Sequence, residues 1–439
     1  METDRMEKIV SLAKRRGFIF QGSEIYGGLA GTWDYGPLGV ELKNNVKELW
    51  WDFFVHARGD IYGIDSAILM NRKVWEASGH VENFSDPMID CKKCQSRFRA
   101  DKIDINAACP ECGAREFTSA RAFNMMFKTY AGPVEDSAAE IFLRPETAQG
   151  SFSNFKNIID SMRPKLPFGI AQIGKAFRNE ITPGNFIFRT REFEQMEIEY
   201  FTAPGAWADA FDYWRGEMQK WMAMLGIASL VSEREIAEGE RAHYSKRTVD
   251  FDFEFPFGRE ELYGLACRSD FDLKQHTMAS GVELAYYDEA AKEKIVPFVV
   301  EPTFGVDRTV LALLAAHYSE EEDKKGGKRT VLKLPPQLAP YKVAIFPLVA
   351  NKPQIVEKAR DIYSSLKKNI STAWDDRGNI GKRYYAQDEI GTPWCVTVDY
   401  QTLEDNTVTV RDRDTAEQKR VATGELTHFF REELNRPTA

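Results

Sequence analysis

The sequence predicts an α+β protein, in which an antiparallel β-sheet flanked by helices is followed by a small α/β domain. The antiparallel sheet is predicted because phenylalanine alternates with other residues, a period-two pattern typical of a half-buried strand, at Phe251, Phe253, Phe255 and Phe257. A flanking helix is predicted because apolar side chains recur at steps of three and four, at Trp207, Phe211, Trp214, Met218, Trp221 and Leu225. The small domain is predicted because the pattern changes beyond residue 340.

The N-terminal part combines helical segments with a long predicted hairpin. Helical spacing occurs from Met6 to Arg15 and again from Val40 to Phe54, after the glycine-rich run Gly31–Gly39. The segment from Gln172 to Tyr200 predicts the hairpin, because proline and glycine occur together near its centre, in Thr182–Asn185.

The boundary between two domains is predicted near residue 335. Ser319–Arg329 is charged and glycine-rich, and the proline-rich Leu334–Pro340 follows it, which is typical of an exposed connection. We therefore expect a first domain at 1–335 and a second at 338–439, which is a usual domain size. The second domain shows the pattern strand, helix, strand, strand, at Lys342–Val349, Pro353–Lys368, Trp394–Tyr400 and Thr407–Arg413.

Composition limits the function only weakly. The charged fraction of 28% and the hydrophobic fraction of 43% are typical of a folded protein and exclude a disordered or fibrous one. The net charge of -9, taken alone, favours a metabolic enzyme over a nucleic-acid-binding protein, although 58 Lys and Arg residues can form a local basic face. Met1–Lys8 lacks the apolar core of a signal peptide, and no apolar run is long enough to span a bilayer. We expect a cytoplasmic protein without membrane contact.

Four of the six cysteines form two close pairs. They are Cys91, Cys94, Cys109 and Cys112, two C-x-x-C motifs with fourteen residues between them. This spacing predicts a tetrahedral Zn²⁺ site within an insertion at 85–120, and four thiolate ligands make the metal structural, because no position stays open for water. Reduced thiols in a surface loop are the alternative. Cys267 and Cys395 are expected to be buried free thiols.

The predicted hairpin carries a row of ligand-type side chains on each arm. If the first arm is a strand, one face carries Gln172, Gly174, Ala176, Arg178 and Glu180. The matching face of the return arm carries Phe193, Gln195 and Glu197, and about 13 Å of strand separates Phe193 from Glu197. A ring at one end and a carboxylate at the other fit a ligand such as an aminoacyl adenylate. The alternative is a core Phe193 beside solvated carboxylates.

A second candidate site lies where a predicted strand runs into a helix. The segment Val299–Arg308 turns through Gly305 into an apolar helix, so Arg308 falls in the first helical turn. Helix N-termini favour anions, and an arginine there can hold a phosphate with paired hydrogen bonds. A surface ion pair is the alternative.

Together these segments resemble motifs 2 and 3 of the class II aminoacyl-tRNA synthetases, and Gly36-Pro37 with its following helix resembles motif 1. Three segments resemble the glycyl-specific forms, namely Leu143–Gly150, Gly31–Gly39 and Glu192–Glu197. The likeness to bacterial-type glycyl-tRNA synthetases, a class IIa family, covers nearly the whole chain. It implies the class II catalytic fold, an anticodon-binding second domain, a homodimer, and ligation of glycine to tRNA(Gly) with ATP and Mg²⁺.

The resemblance also implies roles for individual residues. Arg178 would contact the α-phosphate of a bent ATP, Glu180 the adenine and Arg308 the γ-phosphate, and these three form the expected catalytic set. Glu261 would carry Mg²⁺ between phosphates. The expected ATP-binding residues are Arg178, Asn179, Glu180, Phe188, Arg189, Thr190, Arg191, Glu192, Phe193, Glu261, Leu262, Gly305, Val306, Asp307 and Arg308.

Glycine is expected to bind through its ammonium group to Glu146, Glu197 and Glu301. The full expected set is Arg99, Glu146, Phe193, Glu194, Gln195, Met196, Glu197, Glu301, Pro302, Thr303, Phe304 and Gly305. Selectivity against alanine would come from excluding a methyl group. The chain departs from the family pattern at Thr303, where serine is expected, and at Gly184, where a loop arginine is common.

Bases of the anticodon are expected to meet basic and aromatic side chains of the second domain, with Lys382, Arg383, Tyr384 and Tyr385 as candidates. An ordinary mixed surface is the alternative. Three other functions compete with the main prediction: a class II synthetase for serine, threonine or proline, a synthetase-like module without catalysis, and a zinc-ribbon nucleic-acid-binding protein. The three pocket glutamates argue against the first, and Arg178, Glu180 and Arg308 argue against the other two.

Overall fold

The structure is a computed structural model that describes residues 2–136, 139–242, 244–289, 292–322 and 326–436. Its helices are α1 (Glu2–Arg15), α2 (Pro37–Trp51), α3 (Arg72–Ala77), α4 (His80–Asn83), α5 (Ala148–Met162), α6 (Trp207–Met224), α7 (Phe271–Ser280), α8 (Val306–His317), α9 (Pro353–Leu366), α10 (Ile380–Asp388), α11 (Tyr400–Asp405) and α12 (Leu426–Asn435). Its strands are β1 (Ile19–Gln21), β2 (Trp33–Tyr35), β3 (Ile61–Ile64), β4 (Ser85–Asp90), β5 (Arg97–Arg99), β6 (Arg121–Asn124), β7 (Lys128–Tyr130), β8 (Glu140–Phe142), β9 (Phe168–Phe177), β10 (Glu192–Thr202), β11 (Val231–Glu235), β12 (Arg247–Phe255), β13 (Gly258–Ser269), β14 (Tyr286–Asp288), β15 (Glu293–Ile295), β16 (Phe298–Gly305), β17 (Tyr318–Glu322), β18 (Lys328–Leu332), β19 (Val343–Pro347), β20 (Thr372–Trp374), β21 (Trp394–Val398), β22 (Thr407–Asp412) and β23 (Gln418–Ala422). No helix in this described part of the chain is long and apolar enough to cross a membrane.

The first domain is built on a seven-stranded sheet in the order β11-β12-β13-β16-β10-β9-β3. The strands pair antiparallel except for β3 and β9, which are parallel. The antiparallel sheet predicted from the phenylalanine alternation is therefore confirmed. Trp214 and Trp221 of α6 are fully buried against one face, together with apolar residues of α2 and α8. A second apolar cluster covers part of the other face, where α5 and α7 pack.

The second domain has a five-stranded mixed sheet in the order β20-β19-β21-β22-β23. β19 is parallel to β20 and β21, while β22 pairs antiparallel with β21 and β23. Apolar side chains of α9 and α12, such as Ile355 and Phe430, are buried on this sheet. The predicted order strand, helix, strand, strand is confirmed, with two further strands, β20 and β23, and three further helices added to it.

The described residues of the connection predicted at Ser319–Arg329 are exposed or half-buried as expected, but the segment is a regular hairpin and not an irregular linker. β17 and β18 form an antiparallel hairpin, and oppositely charged side chains such as Arg329 and Glu321 pair across it at 2.7 Å. Arg329 also pairs with Asp388 of α10 at 2.9 Å. The charges that indicated a linker are cross-strand and inter-element ion pairs, and Leu334, just beyond the hairpin, is fully buried.

The central hairpin also differs from the prediction. Pairing between β9 and β10 ends where Phe177 meets Glu192, so residues 178–191 form a long loop in place of a short turn. Phe186 and Phe188 leave the strand pattern because both side chains are buried in the first domain's core. Phe186 has a positive φ of 59°, a backbone conformation that is incompatible with a continued strand.

Candidate active site and cysteine cluster

A cleft in the first domain brings together most of the residues predicted to bind ATP. Those lining it are Arg178, Glu180, Phe188, Arg189, Thr190, Phe193, Glu261, Leu262, Gly305, Asp307 and Arg308. Phe193 and Gly305 belong to the predicted glycine set as well, and four further residues of that set line the same cleft, namely Arg99, Glu194, Gln195 and Thr303. They come together because β10 lies between β9 and β16, so the two motifs recognised separately in the sequence meet on adjacent strands.

Arg178 and Arg308 are two of the four arginines that line the cleft. The Arg178 Nε donates to the Pro145 carbonyl oxygen at 3.0 Å, and its guanidinium carbon lies 5.2 Å from the ring centre of Phe193. The Arg308 Nη1 donates to the Glu261 carbonyl oxygen at 2.7 Å. A guanidinium has five N–H donors, so these anchoring bonds leave donors on each arginine for the oxygens of a phosphate chain.

Glu180 presents a hydrogen-bond acceptor inside the cleft. Its Oε2 is buried and has no hydrogen-bond partner among the described residues. Buried polar atoms are nearly always hydrogen-bonded in a working protein, so this oxygen is suited to a ligand's N–H group. Arg191, expected at ATP, instead braces the loop, because its guanidinium donates to the carbonyl oxygens of Glu180 at 3.2 Å and Ala30 at 2.8 Å.

The three glutamates predicted to hold the ammonium group are all buried. Glu146, Glu197 and Glu301 are 8%, 4% and 7% exposed. Glu197 pairs in register with Thr303, so both face the same side of the sheet as Glu301. Glu146 comes just before α5, which packs on that side.

Each of these carboxylates has specific partners. The Glu197 Oε2 accepts hydrogen bonds from the Thr147 amide and hydroxyl, and its Oε1 accepts from Gln195 at 2.7 Å. Glu146 accepts from Gln149 at 2.9 Å and lies 3.4 Å from His80 Nε2. These bonds fix the carboxylate orientations before any ligand binds.

Arg268 compensates part of the buried negative charge. Its guanidinium, 1% exposed, binds Asp272 through Nε and Nη2 at 2.8 and 2.9 Å, and donates to Glu301 at 2.8 Å. Burial acts to raise the pKa of Glu146, but His80 and Arg268 outweigh it and hold that pKa below its ordinary value. Burial raises the pKa of Glu301 to about 8, although Arg268 opposes the shift. Burial and the Glu146 carboxylate raise the pKa of Glu197. A bound ammonium group would relieve the repulsion among these three carboxylates.

Several predicted ligands have their side chains elsewhere. Met196 and Phe304 are fully buried in the core cluster on the opposite face, since alternate strand residues point to opposite sides. Val306, the first residue of α8, is buried in the same cluster. Pro302 follows the same alternation. Contact with glycine through the side chains of Met196, Pro302 and Phe304 is therefore not compatible with the fold.

Other predicted ligands take part in structural contacts. Glu192 is exposed and pairs with Lys175, while the backbone N–H of Asn179 donates to the Met125 carbonyl oxygen at 2.7 Å. The carboxylate of Glu194 lies 2.8 Å from Lys43 of α2. Asp307 accepts from the Tyr35 hydroxyl at 2.5 Å and from the Glu194 amide at 2.8 Å.

The four paired cysteines converge in the insertion formed by β4, β5 and β6. Their sulfur atoms all lie within 4.8 Å of one another, with Cys91 and Cys112 separated by 3.6 Å and Cys94 and Cys109 by 3.8 Å. A tetrahedron of thiolates around zinc, with Zn–S bonds of about 2.3 Å, places sulfur atoms about 3.8 Å apart. The donor set and spacing fit a structural zinc site. Arg99, at the end of β5, extends from this insertion into the cleft.

The sequence did not predict the residues that contact the glutamates of the ammonium pocket. His80 and Gln149 contact Glu146, and Arg268 contacts Glu301, yet none was assigned a role. For Arg268 a signal existed, since a single charge follows the apolar strand residues Leu265–Cys267. For His80 nothing in its local sequence indicates the contact.

Of the candidate anticodon residues, Arg383 is wrong as a surface contact, and Tyr384 is only partly exposed. Arg383 is 2% exposed and donates to the carbonyl oxygens of Pro347 at 2.6 Å and Leu348 at 3.2 Å. Tyr384 packs inward, and its hydroxyl lies 2.6 Å from the Thr397 hydroxyl. On α10, Lys382 and Tyr385 are exposed.

Comparison with known proteins agrees with this architecture. Residues 126–317 match the family described as the tRNA synthetase class II core domain (G, H, P, S and T), and residues 342–433 match the anticodon binding domain. The fold and the cleft therefore define a class II aminoacyl-tRNA synthetase. The chain is 53% identical to a glycine–tRNA ligase of Alkaliphilus oremlandii, over 99% of this chain and 100% of that protein. It is 54% identical to the enzyme of Alkaliphilus metalliredigens over 98% of both chains, and 52% identical to that of Geobacillus thermodenitrificans over 97% of both. The chain belongs to the family of glycine–tRNA ligases.

Proposed function

We propose that the chain activates glycine with ATP to form glycyl adenylate and then transfers glycine to the 3′ end of tRNA(Gly). The observation that carries this proposal is the buried set Glu146, Glu197 and Glu301 beside a cleft whose lining includes Arg178 and Arg308. Three carboxylates suit an ammonium group, and the arginines suit a triphosphate. The full-length similarity to glycine–tRNA ligases supports the choice of glycine.

The first step is an in-line attack by the glycine carboxylate on the α-phosphorus of ATP, with pyrophosphate as the leaving group. Arg178 would hold the α-phosphate and Arg308 the γ-phosphate, so that positive charge stabilises the oxygens on which negative charge develops. Phe193 would stack on the adenine, and Glu180 would accept its amino group. The pocket glutamates would hold the ammonium, so that the glycine carboxylate points at the phosphorus.

In the second step the terminal ribose hydroxyl of tRNA attacks the carbonyl carbon of the adenylate, and AMP leaves.

Glu261 lines the cleft, with a carboxylate oxygen 3.4 Å from Arg308 Nη1. It would hold Mg²⁺ against the phosphates, where the ion supplies further charge neutralisation. The chemistry depends on positioning and electrostatics more than on proton transfer.

The remaining assignments complete the proposal. Cys91, Cys94, Cys109 and Cys112 would bind one structural Zn²⁺ within the insertion 85–120. The domains would span 1–335 and 338–439, with Lys382 and Tyr385 available to anticodon bases. The protein would act in the cytoplasm as a homodimer. Its interface would include the exposed apolar residues Ile25, Tyr26 and Leu29.

The test is amino-acid-dependent exchange of pyrophosphate into ATP, run with glycine, alanine, serine, threonine and proline. The native chain should catalyse exchange with glycine alone, and Arg308→Ala should abolish it. Exchange with another amino acid would exclude glycine as the substrate while leaving the class II reaction intact. Absence of exchange with all five would contradict catalysis.

A further inference from the structure

Glu199 is a buried carboxyl group that the mechanism above does not use. It lies on β10 two residues beyond Glu197, on the same face of the strand, and it is fully buried. Neither of its carboxyl oxygens has a hydrogen-bond partner among the residues that the structure describes. An ionised carboxylate is costly to bury unless it is paired and hydrogen-bonded.

The register of β10 and β16, which pairs Glu197 with Thr303 and Tyr200 with Val300, puts Glu199 opposite Glu301. β10 and β16 run antiparallel, and the next pair along the ladder joins Tyr200 with Val300. Side chains directly opposite each other in such a ladder have Cβ atoms roughly 4.5–5.5 Å apart. The two carboxyl groups are therefore close neighbours on the face that also carries Glu197.

The surroundings decide which of the two carboxyl groups keeps its proton when the other one ionises. Like charges directly opposite each other are destabilising, so both cannot readily ionise. Glu301 accepts a hydrogen bond from Arg268 at 2.8 Å, which stabilises its anion. Glu199 has no such donor, and the charged groups that face it are Glu301, Arg268, Glu197 and Asp272. Burial and then the Glu301 carboxylate raise the pKa of Glu199 well above its ordinary value, and Arg268 opposes this only in part.

The environment beyond Glu199 is apolar. The next residue on the same face of β10 is Phe201, and Glu199 pairs with Ile170 on β9. Both belong to the apolar cluster formed with α5 and α7. Glu199 thus lies where the ammonium pocket meets this cluster, behind the carboxylates that line the pocket.

We propose that Glu199 is a neutral carboxylic acid that donates a hydrogen bond to the Glu301 carboxylate and so positions Glu301 for the ammonium group of glycine. The inference rests on the proposed function, because it deepens the description of the same pocket. Glu199 does not touch glycine, and it acts as a positioning residue through Glu301. It keeps its proton while Glu301 loses its own on binding the substrate.

The kinetic test compares the same substitution at two positions on one strand face. Glu199→Gln keeps a neutral hydrogen-bond donor, so the KM for glycine in pyrophosphate exchange should stay within about threefold of the native value. Glu197→Gln removes an ionised ligand and should raise that KM on the order of tenfold or more. Glu199→Leu removes the donor and should raise the KM for glycine about tenfold, while the KM for ATP stays unchanged.

A spectroscopic test follows the proton itself. The infrared difference spectrum of native protein minus Glu199→Gln should contain the carbonyl stretch of a protonated carboxyl group at neutral pH, with and without glycine. This readout needs neither activity nor a folded leucine variant.

The outcomes separate the inference from the function it rests on. Equal losses in Glu199→Gln and Glu197→Gln, a native KM in Glu199→Leu, or absence of the infrared band would each overturn the role of Glu199. If the native chain showed no glycine-dependent exchange, the proposed function would fall instead, and with it any role in positioning a glycine ligand.

Discussion

Glu301 links the affinity for glycine to pH. Burial raises the pKa of its carboxyl group to about 8 although Arg268 opposes the shift, so this group holds a proton at neutral pH when glycine is not bound. An ammonium group binds the carboxylate, so glycine must displace that proton. We predict that the KM for glycine falls as the pH rises from about 6.5 towards 8, by at most about tenfold per pH unit, and levels off above this value.

The direct measurement is calorimetric titration of glycine in two buffers with different ionisation enthalpies. Close to one proton should be released per glycine bound at pH 7, and the KM for ATP should show no matching trend. Proton uptake, or no proton exchange, would contradict the assignment of Glu301. In the free protein, the raised pKa of Glu301 also makes the free energy of unfolding depend on pH. Because this pKa lies above the unfolded value of about 4.3, the contribution of Glu301 to stability is lost as the pH rises towards 8.

Among individual residues, the sequence predicted those that lie on one face of a strand. It did not predict the contacts between residues of different helices and strands. Phe193 and Glu197 were recognised because alternation places them on a common side. His80 and Glu146 contact each other although a long stretch of chain separates them, and no local pattern reports such a contact. Arg383 has the composition of a surface residue, yet three backbone carbonyl oxygens at 3.3 Å or less accept from its buried guanidinium.

Among the structural elements, the insertion links the cysteine cluster to the cleft. Arg99 ends β5, and its Nη1 lies 2.6 Å from Asp86 of β4. We predict that Cys109→Ser lowers the zinc content from about one ion per chain and increases hydrogen exchange in residues 85–124. The catalytic efficiency with glycine should also fall, because β5 no longer holds Arg99 in place.

The control for this prediction is Lys92→Ala, an exposed residue within the first cysteine pair, which should leave all three readouts unchanged. Metal analysis, hydrogen exchange by mass spectrometry and pyrophosphate exchange provide the measurements. A Cys109→Ser protein with full zinc content and native exchange kinetics would show that Cys109 is not a zinc ligand.

Helix α2 is tied to the cleft by a buried ion-pair network. Lys43 is 9% exposed and lies 2.8 Å from Glu194 and 3.6 Å from Asp307, the residue before Arg308. Removing one partner of a buried network leaves uncompensated charge, so Lys43→Met should lower the free energy of unfolding by about 3 kcal/mol. The KM for ATP should rise as well, because the first turn of α8 loses an anchor.

Urea unfolding and pyrophosphate exchange measure these two effects. Lys47→Met is the matched control: Lys47 also pairs with Glu194, at 3.2 Å, but its side chain is 25% exposed. Its loss should lower the free energy of unfolding by about 1 kcal/mol or less. Equal losses in both variants would contradict the role given to Lys43.

The elements themselves were predicted better than their ends and connections. The stripe of α6 and the alternation of β12 have regular periods that depend only on which side is buried. The loop 178–191 was predicted too short because Phe186 and Phe188 continue a strand-like composition while packing into the core. The β17–β18 hairpin was missed because its charges pair with each other and with α10, which composition alone does not show.

At the scale of the whole molecule, the two domains are joined by specific polar contacts. Arg413 donates to the Leu332 carbonyl oxygen at 3.1 Å, and Arg16 lies 2.5 Å from Glu389. The β17–β18 hairpin adds the contact between Arg329 and Asp388. These contacts hold the second domain against the first, which suits a protein that must reach both ends of one tRNA.

The proposed dimer depends on the segment before β2. Ile25, Tyr26 and Leu29 are 87%, 86% and 57% exposed, an apolar group typical of an interaction surface. The same segment continues to Gly31, whose carbonyl oxygen accepts from the Arg191 amide at 2.8 Å, so it also supports the loop 178–191.

We predict that Tyr26→Asp converts the dimer to a monomer in sedimentation velocity, because a charge would have to be buried in the interface. Glycine-dependent exchange should fall with it, since the loop 178–191 loses support when the partner no longer covers this segment. Glu24→Ala, an exposed neighbour that removes only a surface charge, should preserve both the dimer and the activity. A Tyr26→Asp protein that remains dimeric would place the interface elsewhere, whereas a fully active monomer would separate dimerisation from the support of this loop.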